Sequence, residues 1–189
     1  MAAVILTSKL EANLIIDFKG ITPKIHSTAF IAEDVNVIGD VEIGEDASIW
    51  FGSVLRGDVS YIRIGARTNI QDMTMIHVSS TFGPTIVEDE VTVGHRVTLH
   101  GCHVERQCLI GMGAIVMDEA RIGEQTIIGA GSLVTPGTII PPRVLALGSP
   151  AKVKRDLTEA EIAYLDKSWR NYVELKNEYQ GHFAADLRG

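Results

Sequence analysis

The chain has 189 residues, is 46% hydrophobic but only 6% aromatic, and carries a formal net charge of −7. Its length suits one substantial domain with an appendage, and the aliphatic-rich, aromatic-poor balance favours stacked aliphatic layers. The acidic balance leaves no basic face for phosphates, which excludes nucleic acid as a partner. At the N-terminus, Met1 to Leu6 is apolar, but Lys9 and Glu11 interrupt it. Without a basic leading region or a cleavage site it does not read as a secretory signal. No apolar run approaches the roughly 20 residues of a membrane span, and Cys102 and Cys108 make no disulfide framework. The expectation is a soluble cytoplasmic protein with no membrane partner.

From Ile31 onward a repeat takes over. Aliphatic residues fall at Ile31, Val37, Ile43, Ile49 and Leu55, then at Ile64, Ile70 and Ile76. They resume at Val87, Val93 and Leu99, and run from Val104 through Ile110, Val116, Ile122, Ile128 and Val134 to Ile140. Fourteen of these 17 intervals are six residues long. Gly often follows the aliphatic residue, and a small or β-branched residue stands four positions after it, as at Ala47, Ser53, Thr68 and Thr74. A period of six fits neither a helix nor a long alternating strand. It fits short strands joined by tight corners, three units to a triangular coil, with one large side chain per unit pointing inward.

The expected fold is therefore all-β: a parallel β-helix over residues 25–152, preceded by a lead-in segment at 1–24. The pattern resembles the hexapeptide-repeat family, and left-handed coiling is what that resemblance implies. Gly148–Ser149–Pro150–Ala151–Lys152 resembles the family's exit from the solenoid. In residues 153–189 the period changes. Thr158 and Glu161 form a capping box, and Ile162, Leu165, Trp169, Tyr172, Val173 and Tyr179 follow at helical spacing. This predicts one amphipathic helix from 159 to about 180 packed on the solenoid, its aromatic stripe serving as core.

Polar residues gather where the repeat breaks. The nine-residue interval Leu55–Ile64 holds Arg56 and Asp58, the eleven-residue interval Ile76–Val87 begins with His77, and the five-residue interval Leu99–Val104 holds His100. If each long interval is one unit with a looped-out insertion, Ile76 and Leu99 are one full coil apart. His77 and His100 then share a corner one rung apart, at about 4.8 Å, with Arg56 beneath His77. His95 follows Val93 by two and sits on another face, above Asp72 and beside Gln71. One chain cannot gather all three histidines compactly, whereas a homotrimer can bring a neighbour's His95 to His77 and His100. His26, His103 and His182 read as surface or packing residues, and the two cysteines as small packing residues.

Arg56-Gly57-Asp58, Asn69-Ile70-Gln71-Asp72, His77, Gly94-His95 and Leu99-His100-Gly101-Cys102 resemble the γ-class carbonic anhydrases over nearly the whole chain. The resemblance implies a divalent metal, zinc or alternatively iron or cobalt, held by His77, His95 and His100 at homotrimer interfaces. It gives Arg56, Asp58 and Asp72 to organisation of the interface and site, Gln71 to orienting the metal-bound water, and Asn69 to the substrate; Tyr172 resembles a tyrosine near the site in short-loop relatives. The implied reaction is hydration of carbon dioxide to bicarbonate by a metal-bound hydroxide, since three neutral imidazoles leave zinc an open, acidifying position. Two family carboxylates that could carry protons are missing: Val78 to Thr85 contains no acid, and Val59 follows Asp58. Two other readings remain, an acetyl-CoA-dependent hexapeptide acyltransferase with a single catalytic histidine and a non-catalytic metal-binding relative.

Overall fold

A computed structural model describes residues 14–186. The N-terminal stretch from Met1 to Leu6 with Lys9 and Glu11, and the last three residues of the predicted tail, lie outside the described residues. The chain forms a left-handed parallel β-solenoid of about seven turns that ends in a single helix.

The six-residue period becomes three inward columns, one per face. Val37, Leu55, Ile76, Leu99, Val116 and Val134 stack in register on one face. Ile25, Ile43, Ile64, Val87, Val104, Ile122 and Ile140 stack on the second. Ile31, Ile49, Ile70, Val93, Ile110, Ile128 and Ala146 stack on the third. Apart from the first rungs Ile25 and Ile31, all are buried. Burying each such side chain contributes roughly 1.5–3 kcal/mol, so the stack holds itself coil by coil.

Both long intervals loop out of this stack. In Val54–Ile64 the chain leaves the coil at Val59 and Tyr61, which are exposed, and returns with Ile62 fully buried as an extra core residue. Residues 78–85 turn back on themselves through a Ser79–Gly83 bridge and expose Phe82. Leu14–Ile16, inside the predicted lead-in, pairs in parallel with Asn36–Ile38.

After the last coil, Val144–Gly148 and Ala151–Asp156 form an antiparallel hairpin, a strand that periodicity alone does not announce. The helix, α1, spans Glu159–Asp186, a turn and more beyond the expected end. Thr158 caps it: the Glu161 amide donates to Thr158 Oγ1 at 3.3 Å and the Thr158 amide donates to Glu161 Oε2 at 2.8 Å. Its buried face presents Leu165, Trp169, Tyr172 and Tyr179, the tyrosines meeting Trp50, whose ring centroid is 5.5 Å from that of Tyr172. Lys176 is 2% exposed and reaches Asp46 at 3.0 Å, pinning α1 to a coil far down the solenoid. None of the described helices is long and apolar enough to cross a membrane.

Candidate metal centre

Strand register sets the first half of the site. Arg56 pairs with His77, and His77 with His100, in one outward column. Three hydrogen-bonded contacts then run in line. Asp58 Oδ1 lies 3.0 Å from His77 Nε2, His77 Nδ1 lies 3.1 Å from His100 Nε2, and His100 Nδ1 lies 2.8 Å from Asp118 Oδ1. Arg56 pairs with the second oxygen of Asp58. Burial pushes the Asp58 carboxyl up, but the bonds from His77 and Arg56 outweigh it and hold the group below its usual value.

The second half lies on another corner. Val93 pairs with Ile70, which sets His95 above Asp72, and His95 Nδ1 meets Asp72 Oδ2 at 2.7 Å. Asn69 and Gln71 are buried side by side, Gln71 Nε2 donating to Asn69 Oδ1 at 3.1 Å. A cavity of about 490 Å³ opens between this corner and α1, lined by Gln71, His95, Met112, Tyr164 and Tyr172 among others. Burial, then the charge of Asp72, push the Tyr172 hydroxyl above its ordinary value. Among the described residues of one chain, no group of three or more His, Cys, Asp or Glu is arranged to hold a metal ion. His77 and His100 come together; His95 stands apart from them. His26 and His103 engage Thr28 and Glu88 instead. Cys102 and Cys108 are free and buried, their thiols pushed up to about 12 by burial.

The residues present fit a cation. Each of the three histidines gives one ring nitrogen to a carboxylate, the arrangement that fixes the tautomer of a metal-bound imidazole. The inner ring nitrogens of His77 and His100 face each other across 3.1 Å, and their outer ring nitrogens face Asp58 and Asp118. A cation seated between the two inner nitrogens would take a lone pair from each ring. The separation is close to the roughly 3.3 Å between two imidazole nitrogens on a tetrahedral zinc.

Asp118 is the member of this array that the repeat count misses. Leu99 pairs with Val116, so Asp118 falls above Gly101, inside the one shortened interval. Gly101 sits at φ +56°, and a Cβ there would lie 2.4 Å from Asp118 Oδ1. The glycine is what lets the carboxylate reach His100, and a glycine directly after a candidate ligand is the signal that could have pointed to it.

Two family descriptions match, "Bacterial transferase hexapeptide (six repeats)" over residues 101–136 and "Hexapeptide repeat of succinyl-transferase" over residues 84–117. A carbonic anhydrase of Geobacillus kaustophilus is 54% identical over 167 residues, 88% of this chain and 91% of that protein. The mitochondrial gamma carbonic anhydrase 2 of Arabidopsis thaliana is 45% identical over 159 residues, 82% of this chain but only 57% of that longer protein. A Bacillus cereus crystal structure provisionally described as an acetyltransferase matches with a TM-score of 0.88 at 48% identity, covering 90% of this chain and 99% of that one. With identity of this order along nearly the full length of a carbonic anhydrase, and the same repeat solenoid, the chain belongs to the γ-class carbonic anhydrase family of hexapeptide-repeat proteins.

Proposed function

We propose that this protein is a metal-dependent carbonic anhydrase that interconverts carbon dioxide and bicarbonate at the three interfaces of a homotrimer. The backing of three histidines by three carboxylates, at 3.0, 2.7 and 2.8 Å, supports this reading most strongly. His77 Nδ1 and His100 Nε2 of one chain and His95 Nε2 of a neighbour would hold the ion, zinc in the first instance, with iron or cobalt as alternatives for an all-imidazole set. When bound, such an ion lowers the pKa of coordinated water to about 7 and so supplies a nucleophile at neutral pH.

The chain's own residues do the rest. Asp58, Asp72 and Asp118 keep the outer ring nitrogens protonated, leaving the inner ones as donors of lone pairs. Arg56 holds Asp58 in place. Gln71, steadied by Asn69, orients the attacking water, and the cavity wall of Tyr172, Ile110 and Met112 offers carbon dioxide an apolar berth. The buried free thiols suit a reducing compartment, the cytoplasm.

Metal analysis followed by stopped-flow carbon dioxide hydration on zinc- and iron-loaded protein tests this. Full metal occupancy without hydration would leave a metal-binding relative. Proton transfer should limit turnover, because the 78–85 loop carries no acid and Val59 stands exposed beside Asp58. A positioned general base contributes about 10²–10⁴-fold, so adding imidazole should raise the rate; a rate that is high at low buffer and flat thereafter would mean an internal shuttle. The acetyltransferase description of the Bacillus cereus relative supports a second reading, acyl transfer from acetyl-CoA. That chemistry uses a single histidine, which leaves the carboxylate-backed set and the Asn69–Gln71 pair without a task.

A further inference from the structure

Helix α1 reaches the site through a hydroxyl. Ser168 Oγ lies 3.0 Å from Thr92 Oγ1, Asn69 Nδ2 donates to Thr92 Oγ1 at 3.0 Å, and Gln71 Nε2 donates to Asn69 Oδ1 at 3.1 Å. All four side chains are buried. Register builds the middle of this chain, since Thr92 pairs with Asn69 in adjacent coils.

Its direction is fixed by a group that cannot reverse. The Val91 carbonyl lies 3.4 Å from Asn69 Nδ2, and a carbonyl can only accept. Turning the Asn69 amide over would set its oxygen against that carbonyl. Nδ2 therefore faces Val91 and Thr92, Oδ1 faces Gln71, and Gln71 must answer with Nε2. Oε1 is then the end of Gln71 left for the cavity it shares with His95.

We propose that Thr92 and Ser168 are positioning residues that hold the Asn69 amide in the orientation the Val91 carbonyl sets, and through it the amide of Gln71 with Oε1 as an acceptor toward the site, so that α1 steadies the group that holds the attacking water. The orientation stands on the hydrogen-bond chain alone; its catalytic consequence rests on the hydratase reading. Thr92→Val removes the hydroxyl at nearly constant volume, and Thr92→Ser restores it. In the metal-loaded protein labelled with ¹⁵N-glutamine, the Gln71 side-chain amide signals should shift and exchange faster with solvent in Thr92→Val, and return in Thr92→Ser. Ser168→Ala, at the far end, should give a smaller change in the same direction and serves if Thr92→Val does not fold. Unchanged Gln71 signals in both would overturn the proposal.

In hydration assays kcat should fall about 2- to 10-fold in Thr92→Val with KM unchanged, the worth of one ordinary hydrogen bond. In a Gln71→Ala background the same substitution should cost nothing more. A loss that persists there would mean Thr92 acts through packing and would also overturn the proposal. Shifted Gln71 signals in Thr92→Val, together with a metal-loaded wild type that hydrates no carbon dioxide, would remove the hydratase reading and leave the orientation supported.

Discussion

The corner that carries His77 and His100 and the corner that carries His95 are made by the same repeat, yet each holds what the other lacks. The first has two imidazoles a coil apart, their inner nitrogens 3.1 Å from each other and their outer nitrogens taken by Asp58 and Asp118. The second has one imidazole, 43% exposed over Asp72, but it has the Asn69–Gln71 amides and the cavity under α1. A parallel ladder stacks like positions at about 4.8 Å, so one column can bring two ligands together but cannot draw in a residue from a different corner across a packed core. A second copy can. A heterologous contact that closes into a ring uses each of the two corners once per chain, which is the arrangement proposed for this protein.

The largest effect that probes this division is expected from His100→Ala. Metal content should fall to background while far-UV circular dichroism stays native, because the aliphatic columns hold each coil without help from the ion. Loss of the fold would make the metal structural. Next comes the carboxylate behind each histidine. Asp118→Asn and Asp72→Asn should each weaken metal binding about 10- to 100-fold in chelator competition, the usual cost of losing such a partner. A silent Asp118→Asn would mean that packing alone holds His100. The smallest effect concerns α1, which packs from Asp46 and Trp50 up to the His95 corner. Hydrogen bonds from Arg155 and Thr158 hold the Glu161 carboxyl at about 2, against an ordinary 4.5. A depressed carboxylate stabilises the fold above its unfolded value, and that contribution is lost as pH falls from about 4.5 toward 2. Near-UV circular dichroism of the Trp50–Tyr172–Tyr179 cluster should therefore melt earlier at the acid end of that window. Glu161→Gln should show less of this acid dependence, and an equal dependence in both proteins would move its cause elsewhere.

Much of this is legible in the sequence, for a physical reason. A period of six leaves one inward residue per unit, so counting from Ile76 to Leu99 and from Ile70 to Val93 sets the register of His77 with His100 and of Asp72 with His95. What the count could not reach lies where the period slips or where two periods meet. Ile62 is an extra inward residue inside the nine-residue interval, and Asp118 is reached only through Gly101 in the five-residue one. Lys176 with Asp46, and Ser168 with Thr92, depend on how α1 is rotated against the solenoid. A 3.6-residue stripe says which face of a helix is buried, not which side chain meets which coil.

Complementation between two inactive chains tests the division of the site most directly. His77→Ala keeps His95, and His95→Ala keeps His77 and His100. Either variant alone should be nearly free of metal and inactive. Co-expressed in equal amounts, they should recover roughly a quarter of the wild-type metal and activity, since each neighbour supplies its intact half with a chance of about one half in a closed ring of three. A mixture as empty as its components, or a stable metal-loaded monomer of either variant or of the wild type, would contradict the account.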